Sequence, residues 1–322
     1  MVIPSPTSPG AALLRVRLSA IRYATEGIHL YEFRSVDGGT LPAFTAGAHI
    51  DLHLPNGLVR PYSLCNPQEE SDRYVTGIKR DASSRGGSRY IHDQLRVGEV
   101  LQISMPRNHF ALHEEARHTV LIAGGIGVTP IACMAQRLRA LGASFEVHYS
   151  VRRREDAALM DLLSGPQLHL SVDSENQGCP LDLASIVGRS PDDAHLYCCG
   201  PAPMLDAFEQ VTAGRPAHQV HLERFASATP VSADGGFTVQ LARSGRNVPV
   251  VPGSTILEAL RQAGVELQAS CEQGICGSCE TRVLAGRPDH RDSLLSDAEK
   301  QSNQVMMVCC SGSKDPLLVL DL

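Results

Sequence analysis

No stretch of this 322-residue sequence approaches the roughly 18 apolar residues in a row that a membrane-spanning helix requires. The opening Met1 to Gly10 (MVIPSPTSPG) lacks both the basic end and the apolar run of a secretory signal. These absences predict a soluble globular protein, with the cytoplasm as its default location and no membrane partner. A clustered basic surface is also missing: 29 Lys and Arg stand against 35 Asp and Glu, a formal charge of -6, which argues against a nucleic-acid partner. The short run Arg152-Arg153-Arg154 reads as solvated surface. There is no internal repeat, and residues 1–10, rich in proline and small polar residues, predict a disordered tail.

What is present is apolar material for more than one core, since 43% of residues are hydrophobic and 20% charged. A chain of this length predicts two or three domains. Ten cysteines without an export signal point to reduced thiols, a metal site or redox chemistry rather than to a disulfide framework.

Three segments differ in texture. Residues 11–112 carry short β-like runs (LRVRLSAIRYA, IHLYEFRSV, HIDLHL, YVTGIKR, VLQISMP) broken by turn residues, which predicts an antiparallel β-barrel or sandwich with one helix near Ser88 to Leu95. Residues 113–225 alternate strand-like runs (TVLIA, SFEVHYSV, QLHLSV, HLYCC) with helical stretches, the pattern of βαβ units on a parallel sheet and a nucleotide-binding architecture by type. Ala226 to Gly236 (ASATPVSADGG) reads as a linker. Residues 237–322 open with two strands, FTVQLA and NVPVV, followed by a helix near Thr255 to Ala263 and a cysteine-rich loop, an α+β pattern.

That loop is the most specific signal. Cys271, Cys276 and Cys279 in CEQGICGSC fit C-x4-C-x2-C, and MVCCS supplies a distant fourth cysteine, the plant-type [2Fe–2S] spacing. Thiolates suit iron as soft anionic donors, and Gly274 and Gly277 allow the positive φ with which a backbone wraps its N–H groups toward sulfur. A structural zinc site is the alternative, but zinc recruits two separated close pairs, and adjacent Cys309-Cys310 makes a poor second pair. Neighbouring strand residues face opposite ways, so one of Cys309 and Cys310 should reach the cluster. Cys65, Cys133, Cys179 and Cys198 read as small buried hydrophobes.

In the middle segment, TVLIA is followed by Gly124-Gly125-Ile126-Gly127-Val128-Thr129-Pro130 and then by Ile131, Met134, Leu138 and Leu141 at helical spacing. Thr129 suits the N-cap and Pro130 the first helical position, so this turn would present N–H groups and a positive dipole end to a pyrophosphate. The full G-x-G-x-x-G fingerprint is not there, and an ordinary strand–helix turn remains the alternative. A second turn, Cys198-Cys199-Gly200-Pro201-Ala202-Pro203-Met204, follows another strand at the same sheet edge. In the first segment Arg60-Pro61-Tyr62-Ser63-Leu64 combines a cation, an aromatic ring and a hydroxyl, suited to phosphate, an isoalloxazine face and a polar ring edge, or else simply a strand of alternating exposure. Gly86-Gly87-Ser88 before a helix adds a second phosphate-binding terminus.

With RPYSL, the GGS turn, PRNHF, GGIGVTP, CCGP-x-PM, HLERF, CEQGICGSC and the later MVCCS in hand, nearly the whole chain resembles the phthalate dioxygenase reductase family, which includes vanillate demethylase reductases. The resemblance implies a flavin barrel, then a nucleotide domain, then a β-grasp ferredoxin domain. It implies FMN on Arg60, Tyr62, Ser63, Lys79, Gly87 and Ser88, with Phe225 near the flavin ring. It implies NADH on Gly125, Thr129, Pro130, Gly200, Pro201 and Met204, with Cys199 near the nicotinamide, and Cys309 as the fourth cluster ligand. The expected activity is electron transfer from NADH through FMN and a [2Fe–2S] cluster to a Rieske-type oxygenase, by a monomer that never touches the organic substrate. FAD in place of FMN, NADPH held by Ser150, Arg152 and Arg153, a soluble ferredoxin or diiron hydroxylase as acceptor, and a non-catalytic redox sensor are the alternatives. The histidines His109, His113, His118, His195, His218 and His221 show no converging spacing and read as surface or packing residues.

Overall fold

The computed structural model describes residues 13–81, 85–226 and 231–322, so the tail read over residues 1–10 lies outside it. The chain divides into two compact units, one within Ala12–Phe225 and one within Ala226–Leu322. Among the described residues no helix is long and apolar enough to cross a membrane.

In the first unit β1 (Leu14–Thr25) and β2 (Ile28–Ser35) form a hairpin over Glu26-Gly27, where Gly27 takes φ +73° without a Cβ penalty. Val16 and Leu18 of β1 are buried between exposed Arg15 and Arg17, the period-two pattern of a one-sided strand. β3 (His49–His53), β4 (Val59–Ser63), β5 (Tyr74–Lys79) and β6 (Val100–Ile103) complete an antiparallel sheet in the order β4-β3-β6-β1-β2-β5. Its edges meet where Leu64 bridges Thr76 and the Cys65 N–H donates to the Val75 carbonyl at 2.9 Å, closing a barrel. Helix α1 (Gly87–Gln94) precedes β6.

Five parallel strands follow: β7 (Thr119–Gly124), β8 (Phe145–Val151), β9 (Leu168–Val172), β10 (His195–Cys199) and β11 (Val220–Glu223), in the order β11-β10-β7-β8-β9. They alternate with α2 (Val128–Leu141), α3 (Met160–Leu163), α4 (Leu183–Arg189) and α5 (Ala202–Thr212). β7 and β10 are buried along their whole length, which is why they read as unbroken apolar runs. Val120, Ile122, Leu196 and Cys198 pack toward Leu183, Ile186, Leu205 and Phe208 of α4 and α5. The alternate set, Leu121, Ala123, Tyr197 and Cys199, joins a core that runs through α2 into barrel residues such as Leu64 and Phe110. Barrel and nucleotide sheet thus share one apolar core.

Two sequence expectations for α2 are corrected. A short 3₁₀ turn over Gly125–Gly127 leads into a helix that already begins at Val128, so Thr129 is not the N-cap; its hydroxyl instead donates to the Ile126 carbonyl at 3.0 Å. Pro130 accordingly lies third in the helix, still in the first turn, where a missing N–H breaks no helical bond. Ile131, Met134 and Leu138 are buried, but Leu141 is 44% exposed, because the helix ends there against left-handed Gly142.

The second unit has β12 (Phe237–Leu241), β13 (Asn247–Val250), α6 (Ile256–Gln262), β14 (Glu280–Ala285), β15 (Pro288–Asp289), α7 (Asp297–Ser302), β16 (Val305–Met307), β17 (Gly312–Ser313) and β18 (Leu317–Leu320). Its main sheet runs β13-β12-β18-β14-β16, with central β12 and β18 parallel and the other pairs antiparallel, a β-grasp; β15 pairs with β17. α6 starts in a capping box of Thr255 and Glu258, and its Leu257 and Leu260 pack with Val239 and Met306. Of the linker read over residues 226–236, residues 227–230 lie outside the described ones, and residues 231–236 are not free chain. The Ser232 N–H donates to the Cys310 carbonyl and the Gly236 N–H to the Val250 carbonyl, both at 2.7 Å, and Val231 packs on the core.

Candidate functional site

The loop ahead of β14 brings Cys271, Cys276 and Cys279 together with Cys309, which follows β16, and all four are at most 3% exposed. Cys271 exchanges thiol hydrogen bonds with Cys276 and Cys309, and Cys279 does so with Cys309. Left-handed Glu272, Gly274 and Gly277 fold the loop, and the Gln273 N–H donates to Cys271 Sγ at 3.3 Å. Ser278 Oγ lies 3.2 Å from Cys276 Sγ. Cys310 turns the other way, its thiol 3.6 Å from the Met307 carbonyl and in contact with the place a Cβ on Gly274 would occupy. Four converging buried thiols with polar hydrogens aimed at sulfur have no rationale as packing, and they fit an iron–sulfur cluster.

The two turns of the nucleotide sheet meet at the carboxyl ends of β7 and β10. A Cβ on Gly127 would strike the Cys199 carbonyl, one on Gly124 would lie 2.7 Å from Pro201 Cδ and 2.8 Å from Met204 Sδ, and one on Gly200 would lie 2.7 Å from Met204 Sδ. Gly125, at φ +52°, has open space beside it. Bare backbone at this edge, with the first turns of α2 and α5 opening from it, fits a pyrophosphate. Thr129 and Pro130 belong to the first of these helices, and Pro201 is the N-cap of the second.

The barrel contributes a second cradle. Arg60 of β4 lies along Gly87, where a Cβ would be 2.7 Å from Arg60 Cγ, so only glycine lets the guanidinium approach the start of α1. Arg60 Nη1 donates to the Val59 carbonyl at 2.8 Å, and Ser88 Oγ accepts the Asp81 N–H at 3.2 Å. Tyr62 stands next in the strand, its phenol held well above the usual range by burial. A cation, a ring and a helix N-terminus gathered on one glycine-lined cradle fit a flavin phosphate and ring. Lys79, at the end of β5, and Phe225, 39% exposed, make no contact here that ties them to these groups.

Barrel and sheet are joined by residues that the sequence did not single out. Ser63 Oγ donates to Glu223 Oε2 at 3.4 Å across 160 residues of chain. Burial pushes the Glu223 carboxyl up to about 8, against the downward pull of that bond. The Cys199 thiol, fully buried, is pushed well above its ordinary value by burial and by the neighbouring Glu223 and Cys198. Gly77 of β5 sits so close to α2 that a Cβ would lie 2.7 Å from Thr129 Cγ2. Glu223 lies inside HLERF, so the signal was present but unassigned; nothing in the sequence marks Gly77.

Two further readings change, while Arg152, Arg153 and Arg154 are exposed, as expected of a solvated surface run. Cys179, expected buried, is exposed. The histidines do converge: His195 Nδ1 lies 3.0 Å from His221 Nε2, with His113 and His218 beside them. Arg153 pairs with Glu155 and Asp156 and Arg154 with Glu175, while Ser150 Oγ donates to Asp173 at 3.4 Å.

A family model described as a 2Fe-2S iron-sulfur cluster binding domain matches residues 239–313. Phenoxybenzoate dioxygenase subunit beta of Ectopseudomonas oleovorans is 51% identical over 97% of this chain and 98% of its own length. Tetrachlorobenzoquinone reductase of Sphingobium chlorophenolicum is 50% identical over 98% of this chain and 100% of its own. The solved structure of phthalate dioxygenase reductase, described as a modular structure for electron transfer from pyridine nucleotides to [2Fe–2S], matches with a TM-score of 0.74 and 38% identity over 96% of this chain and 98% of that one.

Proposed function

The chain belongs to the phthalate dioxygenase reductase family, and from that premise we propose that it carries electrons from NADH through FMN and a [2Fe–2S] cluster to the Rieske-type component of an oxygenase, working in the cytoplasm as a monomer. The single observation that carries this reading is the Ser63–Glu223 bond beside Cys199, which joins a flavin-type strand to a nucleotide-type strand at the sheet edge where two pyrophosphate turns meet.

A flavin held here would supply the conversion of the nicotinamide's two-electron hydride into the single electrons a [2Fe–2S] cluster takes. The chain's own residues bind and orient. Arg60 and the start of α1, with Gly87 and Ser88, would hold the FMN phosphate and Tyr62 and Ser63 would flank its ring, while Lys79 and Phe225 are assigned to the flavin by the family resemblance and not by a contact with these groups. Gly125, Thr129, Pro130, Gly200, Pro201 and Met204 take NADH. Cys199 stays a neutral thiol and would lie near the nicotinamide. Glu223 holds a proton at neutral pH, so it adds no anion beside the anionic nucleotide and flavin. Cys271, Cys276, Cys279 and Cys309 hold the cluster.

NADH is favoured over NADPH because, of Ser150, Arg152 and Arg153, Arg153 is already paired with Glu155 and Asp156 and Ser150 bonds the negative Asp173, which leaves exposed Arg152 as the single cation to offer a 2′-phosphate. FMN is favoured by the order of barrel, nucleotide sheet and ferredoxin fold.

The test is anaerobic titration of the purified protein with NADH and with NADPH, with the released flavin identified. Bleaching of flavin and cluster by NADH alone is expected; a cluster that stays oxidised would sink the reading and promote the redox sensor. A second reading, direct reduction of a quinone, is favoured by the name of the Sphingobium relative, and turnover with a benzoquinone in the absence of any oxygenase would select it.

A further inference from the structure

Away from the redox site, four polar side chains gather on the face of the nucleotide sheet that packs toward α4 and α5. Glu146 and His148 are two residues apart on β8 and so share a face, and His169 stands opposite His148 across the β8–β9 ladder. His118, just ahead of β7, flanks Glu146. All three imidazoles present Nε2 to the same carboxylate, His148 at 3.3 Å, His169 at 3.9 Å and His118 at 4.0 Å. The His148 and His169 rings stack 4.8 Å apart. The one ligand atom each of Glu146, His148 and His169 all lie within 4.8 Å of one another.

Two independent observations separate this group from a chance surface cluster. His148 is only 7% exposed, and its Nε2 is buried without a hydrogen-bond partner among the described residues, although Glu146 is close, a loss that a bound ligand would repair. His118 Nδ1 bonds Ser144 Oγ at 2.8 Å, which fixes the ring and turns Nε2 inward, the arrangement by which an outer polar group orients a metal-binding imidazole.

We propose that Glu146, His148 and His169, with His118 as the fourth ligand, form a site for a divalent transition metal of the zinc type. A tetrahedral ion with bonds of about 2.0–2.2 Å holds its ligand atoms about 3.3–3.5 Å apart. Ligand atoms that lie within 4.8 Å of one another therefore require closure by up to about 1.4 Å, and His118, which stands outside that group at 4.0 Å from the carboxylate, swings in to complete it. Three imidazole nitrogens and one carboxylate suit zinc and its neighbours, whereas magnesium and calcium demand oxygen. Glu146 lies four residues ahead of Ser150, about 13 Å along the strand from the nucleotide edge. The ion is thus a clamp that ties the edge strand β9 to β8, with no part in electron transfer.

The test is calorimetric titration of zinc chloride into the full chain loaded with flavin and cluster, in a Cys179→Ser background that removes the exposed thiol, with the visible spectrum reporting that both groups stay in place. One equivalent is expected to bind. Glu146→Gln and His169→Ala should each weaken binding at least about tenfold, and His218→Ala, in the other histidine group, should not. His169 is 55% exposed at its side chain, so its removal leaves the fold intact. No binding to the parent protein, binding that survives both Glu146→Gln and His169→Ala, or loss with His218→Ala would overturn the proposal.

Discussion

Replacing Glu223 by Gln tests the junction of barrel and nucleotide sheet directly. The native carboxyl titrates near 8 rather than near 4.5, so the folded protein keeps a proton that the unfolded chain releases across that window. Stability therefore falls as pH rises from about 4.5 to about 8 and levels off above it. At about 1.4 kcal/mol per pH unit the full displacement caps the cost at about 5 kcal/mol. The residue keeps some exposed surface although its carboxyl is enclosed, so the expected cost falls below that cap, at about 2 kcal/mol. Gln keeps an acceptor for the Ser63 hydroxyl without the charge. The variant should match the wild type near pH 4.5 and exceed it by about 2 kcal/mol at pH 9. Urea unfolding followed by far-UV circular dichroism suits a chain without tryptophan. In the same experiment, wild-type NADH oxidation should decline as pH rises through about 8, and the variant should lose that limb. A variant no more stable than the wild type at pH 9, or a difference that does not change with pH, would refute the reasoning.

The cysteine pair gives a sharper contrast: Cys309→Ala should abolish the cluster's visible absorbance while flavin is retained, whereas Cys310→Ala should keep both chromophores and lose about 1–2 kcal/mol for the small cavity it leaves. Gly127→Ala drives a methyl into the Cys199 carbonyl and must push the two nucleotide turns apart. It should raise the KM for NADH at least about tenfold with flavin content unchanged, as measured by steady-state kinetics and by flavin release.

The elements whose signal is local were legible in the sequence. β1, β7 and β10 followed from period-two or unbroken apolar runs, and the cysteine loop from spacing alone. What escaped depends on residues distant in sequence. Glu223 meets Ser63 across 160 residues, and Gly77 matters only because Thr129 packs against it. The start of α2 was misplaced because Thr129 and Pro130 carry the chemistry of a helix entry, yet the 3₁₀ turn over Gly125–Gly127 had already begun the winding. His118, His148 and His169 lie on three separate stretches of chain, and only the register of β7, β8 and β9 makes them neighbours.

The apolar core that passes from β7 and β10 through α2 into the barrel bears on how such a protein can be taken apart. Severing the chain near residue 112 would leave two halves, each with a raw face of Leu, Ile and Phe side chains, and neither half would persist alone in water. Exchange of parts, in the laboratory or over generations, therefore belongs just after Phe225, ahead of Val231, which already packs on the second unit's core. Upstream of that segment lies a single heritable electron-gathering machine, and downstream of it an output module that can be replaced to suit a different recipient.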